Sequence, residues 1–192
     1  MDKKELEWCE RQVDEVHIPV EAVEEVCMHE LHEHVVVCNG VVAYKEGQMN
    51  KLCWSGTPIN KGLVEEIFKM EAWDTIAQLA VPGDWEISLD LEKGYMQVGL
   101  DSRVKMFCAF RVSNRTFRYR VLPFGLALAP RDFSKIVRKI CAVLRKLGIR
   151  VTFCIDDLLV LASSLEDAIA TRHLVLKVLH LRGFLCQRKR AN

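Results

Sequence analysis

Two aspartates, Asp156 and Asp157, stand between two almost wholly apolar runs, Val151–Ile155 and Leu158–Ala162. Each run has the length and β-branched content of a buried strand, and a two-residue gap joins such strands only as a tight antiparallel hairpin. The chain must therefore carry the pair at a hairpin tip. Aspartate is a common turn residue, so turn chemistry alone would account for one of them. Two side by side repel, an arrangement usually tolerated because a cation lies against both. Asp90 closes another strand-like run, Trp85–Leu91 (W-E-I-S-L-D-L), about 65 residues earlier. If the two strands are neighbours, Asp90 and Asp156 face each other and can hold two Mg²⁺ ions roughly 3.5–4 Å apart, the spacing that clamps the attacking and leaving oxygens of phosphoryl transfer.

Charge supports that direction. The 192 residues carry 27 Lys plus Arg and 26 Asp plus Glu, for a formal net charge of +1. With 50% hydrophobic and 28% charged residues the chain is neither a disordered tail nor a membrane protein. The near-neutral sum hides segregation. Residues 1–34 carry 3 basic and 11 acidic side chains, whereas residues 102–150 carry 13 basic residues and one acidic, Asp132. A basic block of that density attracts phosphate backbones, or forms a solvated face. It lies between Asp90 and Asp156.

Periodicity predicts a charged helix over 2–16 and a second from Pro19 through Val20, Val23, Cys27 and Leu31. Val35–Val37 and Val41–Ala43 read as a hairpin about Asn39-Gly40, followed by a strand over Lys51–Trp54. A helix is expected over 62–80, and strands over Gln97–Leu100, Lys105–Val112 and Thr116–Leu122. Pro130 opens a long helix that Gly148 stops, and Ser164 caps a last helix over 165–182. The eight cysteines form no CxxC pair and read as reduced thiols. Cys27, His29, His32, His34 and Cys38 cluster, but their spacings fit no usual zinc pattern. The N-terminus has no apolar signal region, which predicts an intracellular protein, nuclear or cytoplasmic, without a membrane partner.

Three segments carry a family resemblance. S-L-D-L-E-K-G-Y (Ser88–Tyr95), V-L-P-F-G-L-A-L-A-P-R (Val121–Arg131) and F-C-I-D-D-L-L-V-L-A-S-S (Phe153–Ser164) resemble, in order and spacing, the successive palm motifs of reverse transcriptases, and most of all those of DIRS-like retrotransposons. The resemblance implies an α+β polymerase palm, a small antiparallel sheet backed by helices, with partial fingers and the thumb absent. It implies a fingers/palm domain over 35–183; ahead of it lies an acidic helical segment over 1–34 to which the sequence assigns no role, and after it a basic tail over 184–192. The implied reaction is RNA-directed DNA polymerisation: in-line attack of a primer 3′-hydroxyl on a deoxynucleoside triphosphate, with an RNA or DNA template and two Mg²⁺ ions, Mn²⁺ being able to replace them. Asp90, Asp156 and Asp157 become the catalytic and metal-binding carboxylates, and the Leu91 backbone a further metal contact. Tyr95 becomes the ring beneath the incoming sugar, which excludes a 2′-hydroxyl, and Phe124 and Gly125 the bend beneath nucleotide and template. Arg131, Lys135, Arg138 and Lys139 would face template phosphates. A core aromatic, a hydrophobic plug and the wet side of an amphipathic helix are the plainer readings of Tyr95, Phe124 and these basic residues.

Departures from the family pattern accompany the resemblance. Lys93-Gly94-Tyr95 replaces the usual D-A-Y, and Cys154 replaces an aromatic ahead of the aspartates. In the fingers segment Lys51 stands in for a triphosphate-binding Arg, as a point charge without the bidentate fork. The segment Trp54–Asn60 lacks the second Arg. These departures sustain an alternative expectation, a truncated or co-opted palm that binds nucleic acid without polymerising.

Overall fold

The computed structural model describes residues 3–27, 29–30, 36–43, 51–64, 67–71 and 73–187, with Ala43, Lys51, Trp73 and Asp74 described as backbone only. It is α+β and divides into two compact units: Met1–Glu65 with Val98–Ala129, and Glu66–Gln97 with Pro130–Asn192.

The first unit is built on five strands, β1 (Val23–Glu25), β2 (Val37–Ala43), β3 (Lys51–Trp54), β5 (Ala109–Val112) and β6 (Arg115–Tyr119), in the order β1-β6-β5-β2-β3. All neighbours are antiparallel except β2 and β5. Its core is aromatic: Phe110 lies 5.6 Å from Phe117 and 5.0 Å from Tyr119, ring centre to ring centre, and Trp54 donates its indole N–H to the Ala109 carbonyl. Helix α1 (Lys3–Gln12), continued by a π-helical turn to His17, buries Cys9 and Val13 completely.

Several local expectations fail here. The segment after Pro19 is not a helix: Glu21 takes φ = 54°, and Val23, Glu24 and Glu25 then pair with Tyr119, Arg118 and Phe117. A ladder reinforced by ion pairs has overridden a weak helical period, and Leu31 lies outside the described residues. Asn39-Gly40 is not a turn either but lies inside β2, whose first half pairs with β5 and whose second half pairs with β3. Gly40 fits because a Cβ there would sit 3.0 Å from Val112 Cγ2. Residues 102–105 form the short helix α4, because Asp101 accepts from the Arg103 N–H and caps it. Only an isolated bridge, Gly99 to Val121, remains of the strand expected over 97–100.

The second unit has a three-stranded antiparallel sheet, β4 (Trp85–Asp90), β8 (Asp157–Ala162) and β7 (Arg150–Cys154), with β8 central. Helix α6 (Leu165–Leu181) packs on β8 and β4, and α3 (Trp73–Leu79) packs on β7. Ser164 Oγ accepts from the Asp167 N–H, as the cap position predicts. Helix α5 (Ala129–Lys146) buries Phe133, Val137, Ile140, Cys141 and Leu144, while Val143 on the same helix and Leu147 just after it are exposed. The helix expected over 62–80 shrinks to α3. Ile67 is fully exposed, and the stretch before α3 is instead held by polar bonds from α5, with Arg138 donating to the Lys69 carbonyl and Arg145 to both Glu71 oxygens.

No disulfide joins the cysteines, and among the described residues no helix is long and apolar enough to cross a membrane.

Candidate active site

The carboxylates are brought together by strand register. β7 and β8 are joined by Ile155 and Asp156, so the turn lies one residue earlier than the sequence implies, and Asp157 begins β8. Asp157, and not Asp156 as the sequence predicts, is the cross-strand partner of Asp90, with Cys154 on its other side. Directly paired residues share a sheet face, so Asp90 and Asp157 emerge together. Asp156 is tied to the same corner, because the Leu91 N–H donates to its carbonyl at 2.9 Å. Ile155 pays for this tip with φ = 56°, a region that β-branched residues avoid. Asp157 is exposed, and Asp90 and Asp156 are half-buried.

A second layer fixes the end of β4. The Gln187 N–H donates to the Asp90 carbonyl at 2.8 Å and the Glu92 N–H to the Leu185 carbonyl at 2.9 Å, while Leu91 bridges Cys186. Gln97 closes the arrangement: its amide nitrogen donates to the carbonyls of Glu92 and Leu185, and its oxygen accepts from the Leu185 N–H. Nothing in the sequence pattern singles out Gln97, because the Leu185 end of this bracket lies 88 residues away. The Leu91 side chain is almost wholly buried.

Tyr95 lies in a 3₁₀ turn, Gly94–Gln97, directly after β4. Its ring meets Phe133 edge-on at 5.0 Å. Burial, then the nearby Asp156 charge, pushes its hydroxyl pKa up. Gly94 gives a reason for one family departure: a Cβ would meet Phe133 Cζ at 2.7 Å and the Asp156 Cβ at 3.4 Å. Lys93, at φ = 48°, turns the backbone into this segment. A cavity of about 620 Å³ opens on the same unit, lined by Ser88, Thr152, Leu159, Glu71 and Asp157 among others.

The basic residues of α5 differ among themselves. Arg131 is only 13% exposed and is paired with Asp132 at 2.8 Å. Lys135, Arg138 and Lys139 are exposed; Lys135 reaches Asp132 at 3.9 Å.

Phe124 and Gly125 belong to the first unit. Gly125 has φ = 105°, and a Cβ there would sit 2.5 Å from the Trp54 carbonyl oxygen, so the bend is closed to other residues. Phe124 is 39% exposed. Asn60 staples the bend, donating to the Gly125 carbonyl at 2.7 Å and accepting from the Ala127 N–H at 2.9 Å, a role the sequence reading missed. Lys51 begins β3, but its side chain lies outside the described residues. Among the described residues no group of three His, Cys, Asp or Glu side chains converges as a metal cluster. That holds for Asp90, Asp156 and Asp157 as it does for Cys27, His29 and Cys38; His32 and His34 lie outside the described residues.

Residues 22–189 match the family model described as reverse transcriptase (RNA-dependent DNA polymerase). An enzymatic polyprotein of cauliflower mosaic virus (strain Strasbourg) is 27% identical over 136 residues, covering 69% of this chain and 19% of the polyprotein. A retrovirus-related Pol polyprotein from transposon 412 of Drosophila melanogaster is 33% identical over 79 residues, covering 41% of this chain and 6% of that protein. The chain thus spans about a fifth or less of the length of these relatives. A solved structure of a foamy viral protease–reverse transcriptase superposes with a TM-score of 0.75 at 14% identity, covering 96% of this chain and 30% of the other. The strand-matched aspartates and the match over residues 22–189 together place this chain in the reverse transcriptase (RNA-dependent DNA polymerase) family.

Proposed function

We propose that the chain is an RNA-directed DNA polymerase domain that transfers a deoxynucleotidyl group to a primer 3′-hydroxyl, with Asp90, Asp156 and Asp157 as its catalytic carboxylates. The observation that carries this reading is the register of β4 on β8, which puts Asp90 opposite Asp157 with Asp156 bonded through its backbone to Leu91. The donor set suits a hard cation: carboxylates, with the Leu91 main chain beside them, are oxygen ligands of the kind Mg²⁺ takes. Two Mg²⁺ ions held by Asp90, Asp156 and Asp157 would neutralise triphosphate charge and lower the pKa of the attacking hydroxyl.

The remaining roles fall to the chain's own residues. Gln97 and the Leu91–Cys186 bridge hold the end of β4 still, which positions Asp90. Tyr95, buried beside Asp156, would present a ring edge to the sugar and leave no room for a 2′-hydroxyl. Nucleotide-binding roles for Phe124, Gly125 and Lys51 belong to the same proposal. Lys135, Arg138 and Lys139 would take template phosphates, with Arg131 acting through its pair with Asp132 to hold the start of α5. The foamy viral neighbour was solved in complex with double-stranded DNA, which supports a nucleic-acid partner here. An affinity with DIRS-like elements and an intracellular setting are part of the same proposal.

Extension of a DNA primer on an RNA template tests it. The intact chain with Mg²⁺ and deoxynucleoside triphosphates should add template-directed nucleotides, and ribonucleoside triphosphates should be poor substrates. No addition at all with enzyme in excess over primer–template would contradict the proposal.

A further inference from the structure

The segregated charges of the sequence meet in the first unit. Arg115 donates to Asp14 at 2.9 Å and to Glu25 at 2.7 Å. Arg118 donates to Glu24 at 2.6 Å and lies 3.7 Å from Glu30; Arg120 lies 3.2 Å from Glu21 and 3.7 Å from Glu24. Five carboxylates thus surround three guanidiniums, which leaves the patch with an excess of two negative charges. All three arginines stay 26–40% exposed, so solvent and solutes reach them.

The backbone of Glu24 and Glu25 is held by more than these pairs. The ladder of β1 on β6 continues on both sides, with the Arg120 N–H donating to the Ala22 carbonyl at 2.9 Å and the Val26 N–H to the Thr116 carbonyl at 2.8 Å. Cys9, Val13 and Ala22 are fully buried. A packed element therefore presents acid to the basic strand. A guanidinium fork already filled by carboxylate oxygens cannot offer the same donors to a phosphate.

We infer that the acidic N-terminal segment is an electrostatic cover over a second phosphate-binding surface, made of Arg115, Arg118 and Arg120, whose uncovered ligand is a nucleic-acid backbone. In the native chain the cover holds that surface silent, so binding is left to the exposed lysines of α5. The inference rests on the polymerase reading only for its choice of ligand.

Fluorescence anisotropy of a labelled duplex DNA, titrated with the full chain over a range of KCl concentrations, tests it. The cover variant carries Asp14→Asn, Glu21→Gln, Glu24→Gln and Glu25→Gln, which keep side-chain size and the β1 backbone. It should bind about tenfold tighter or more at low salt, with a log–log salt slope steeper by roughly 2–3, since each phosphate contact adds about 0.9. Adding Arg115→Gln, Arg118→Gln and Arg120→Gln to the cover variant should abolish the gain. Unchanged affinity and slope in the cover variant overturn the inference, and so does a gain that survives loss of the arginines, because the three arginines would then not be its source. If the cover variant fails to fold, Glu24→Gln alone, which frees part of two arginines, must still tighten binding. Lys135→Gln with Lys139→Gln tests the α5 reading separately: loss of native binding there with no gain in the cover variant refutes the cover and keeps the polymerase reading. Binding by the cover variant where the native chain shows none supports the cover and refutes the α5 reading.

Discussion

Gly94 and Tyr95 decide how close an aromatic ring can come to the acidic corner. A methyl group at Gly94 has no room beside Phe133, which is itself fully buried. Gly94→Ala should therefore destabilise the protein by about 1–3 kcal/mol, the usual cost of overpacking, read as a lower melting temperature. A neutral effect would mean that the ring moves aside freely. Tyr95→Val removes the ring and leaves a small β-branched side chain in its place, and it should raise ribonucleotide incorporation relative to deoxynucleotide by about tenfold or more. Competition between the two triphosphates on one template measures this ratio. Neither effect could be ranked from the residues alone: K-G-Y showed a departure from D-A-Y, but only packing ties the glycine to Phe133, nearly 40 residues later.

The weakest-looking stretch of the second unit, before α3, is held by a polar network. Arg145 bonds both oxygens of Glu71 and the Val151 carbonyl, and Thr152 Oγ donates to Glu71. Burial alone would raise the Glu71 pKa, but the hydrogen bonds from Arg145 and Thr152 outweigh it and hold the carboxyl below its ordinary value. Its contribution to stability is therefore complete above the unfolded value of about 4.3 and drains away as pH falls through the lower folded value. Glu71→Gln should flatten the acid limb of the stability profile over that window, as followed by denaturant unfolding at stepped pH. A profile that keeps its native slope would show that Glu71 carries none of it. The network also explains why periodicity misled over 62–80: the apolar spacing of Leu63, Ile67 and Met70 is real, but the buried contacts available there are ionic. The hairpin β7–β8 was legible because two apolar strands two residues apart have one way to pair. The turn position was not, because register is set by Asp157 opposite Asp90, a partner about 65 residues away.

Across the whole chain, motif order carried the class of fold, and charge counts carried the partition into acidic and basic segments. What those counts could not convey is that part of each segment, three arginines and five carboxylates, meets around one sheet, through β1 against β6. A helix-like period in residues 19–31 concealed the strand that does this. The central claim remains that Asp90 and Asp156 form the catalytic corner, and single-turnover addition of one deoxynucleotide to an RNA-templated primer tests it most directly. Asp90→Asn and Asp156→Asn keep the side-chain shape and remove the charge. Each is predicted to lower the rate by about a thousandfold with primer–template affinity and melting temperature near those of the native chain. A rate within a fewfold of native in either well-folded variant would contradict the account.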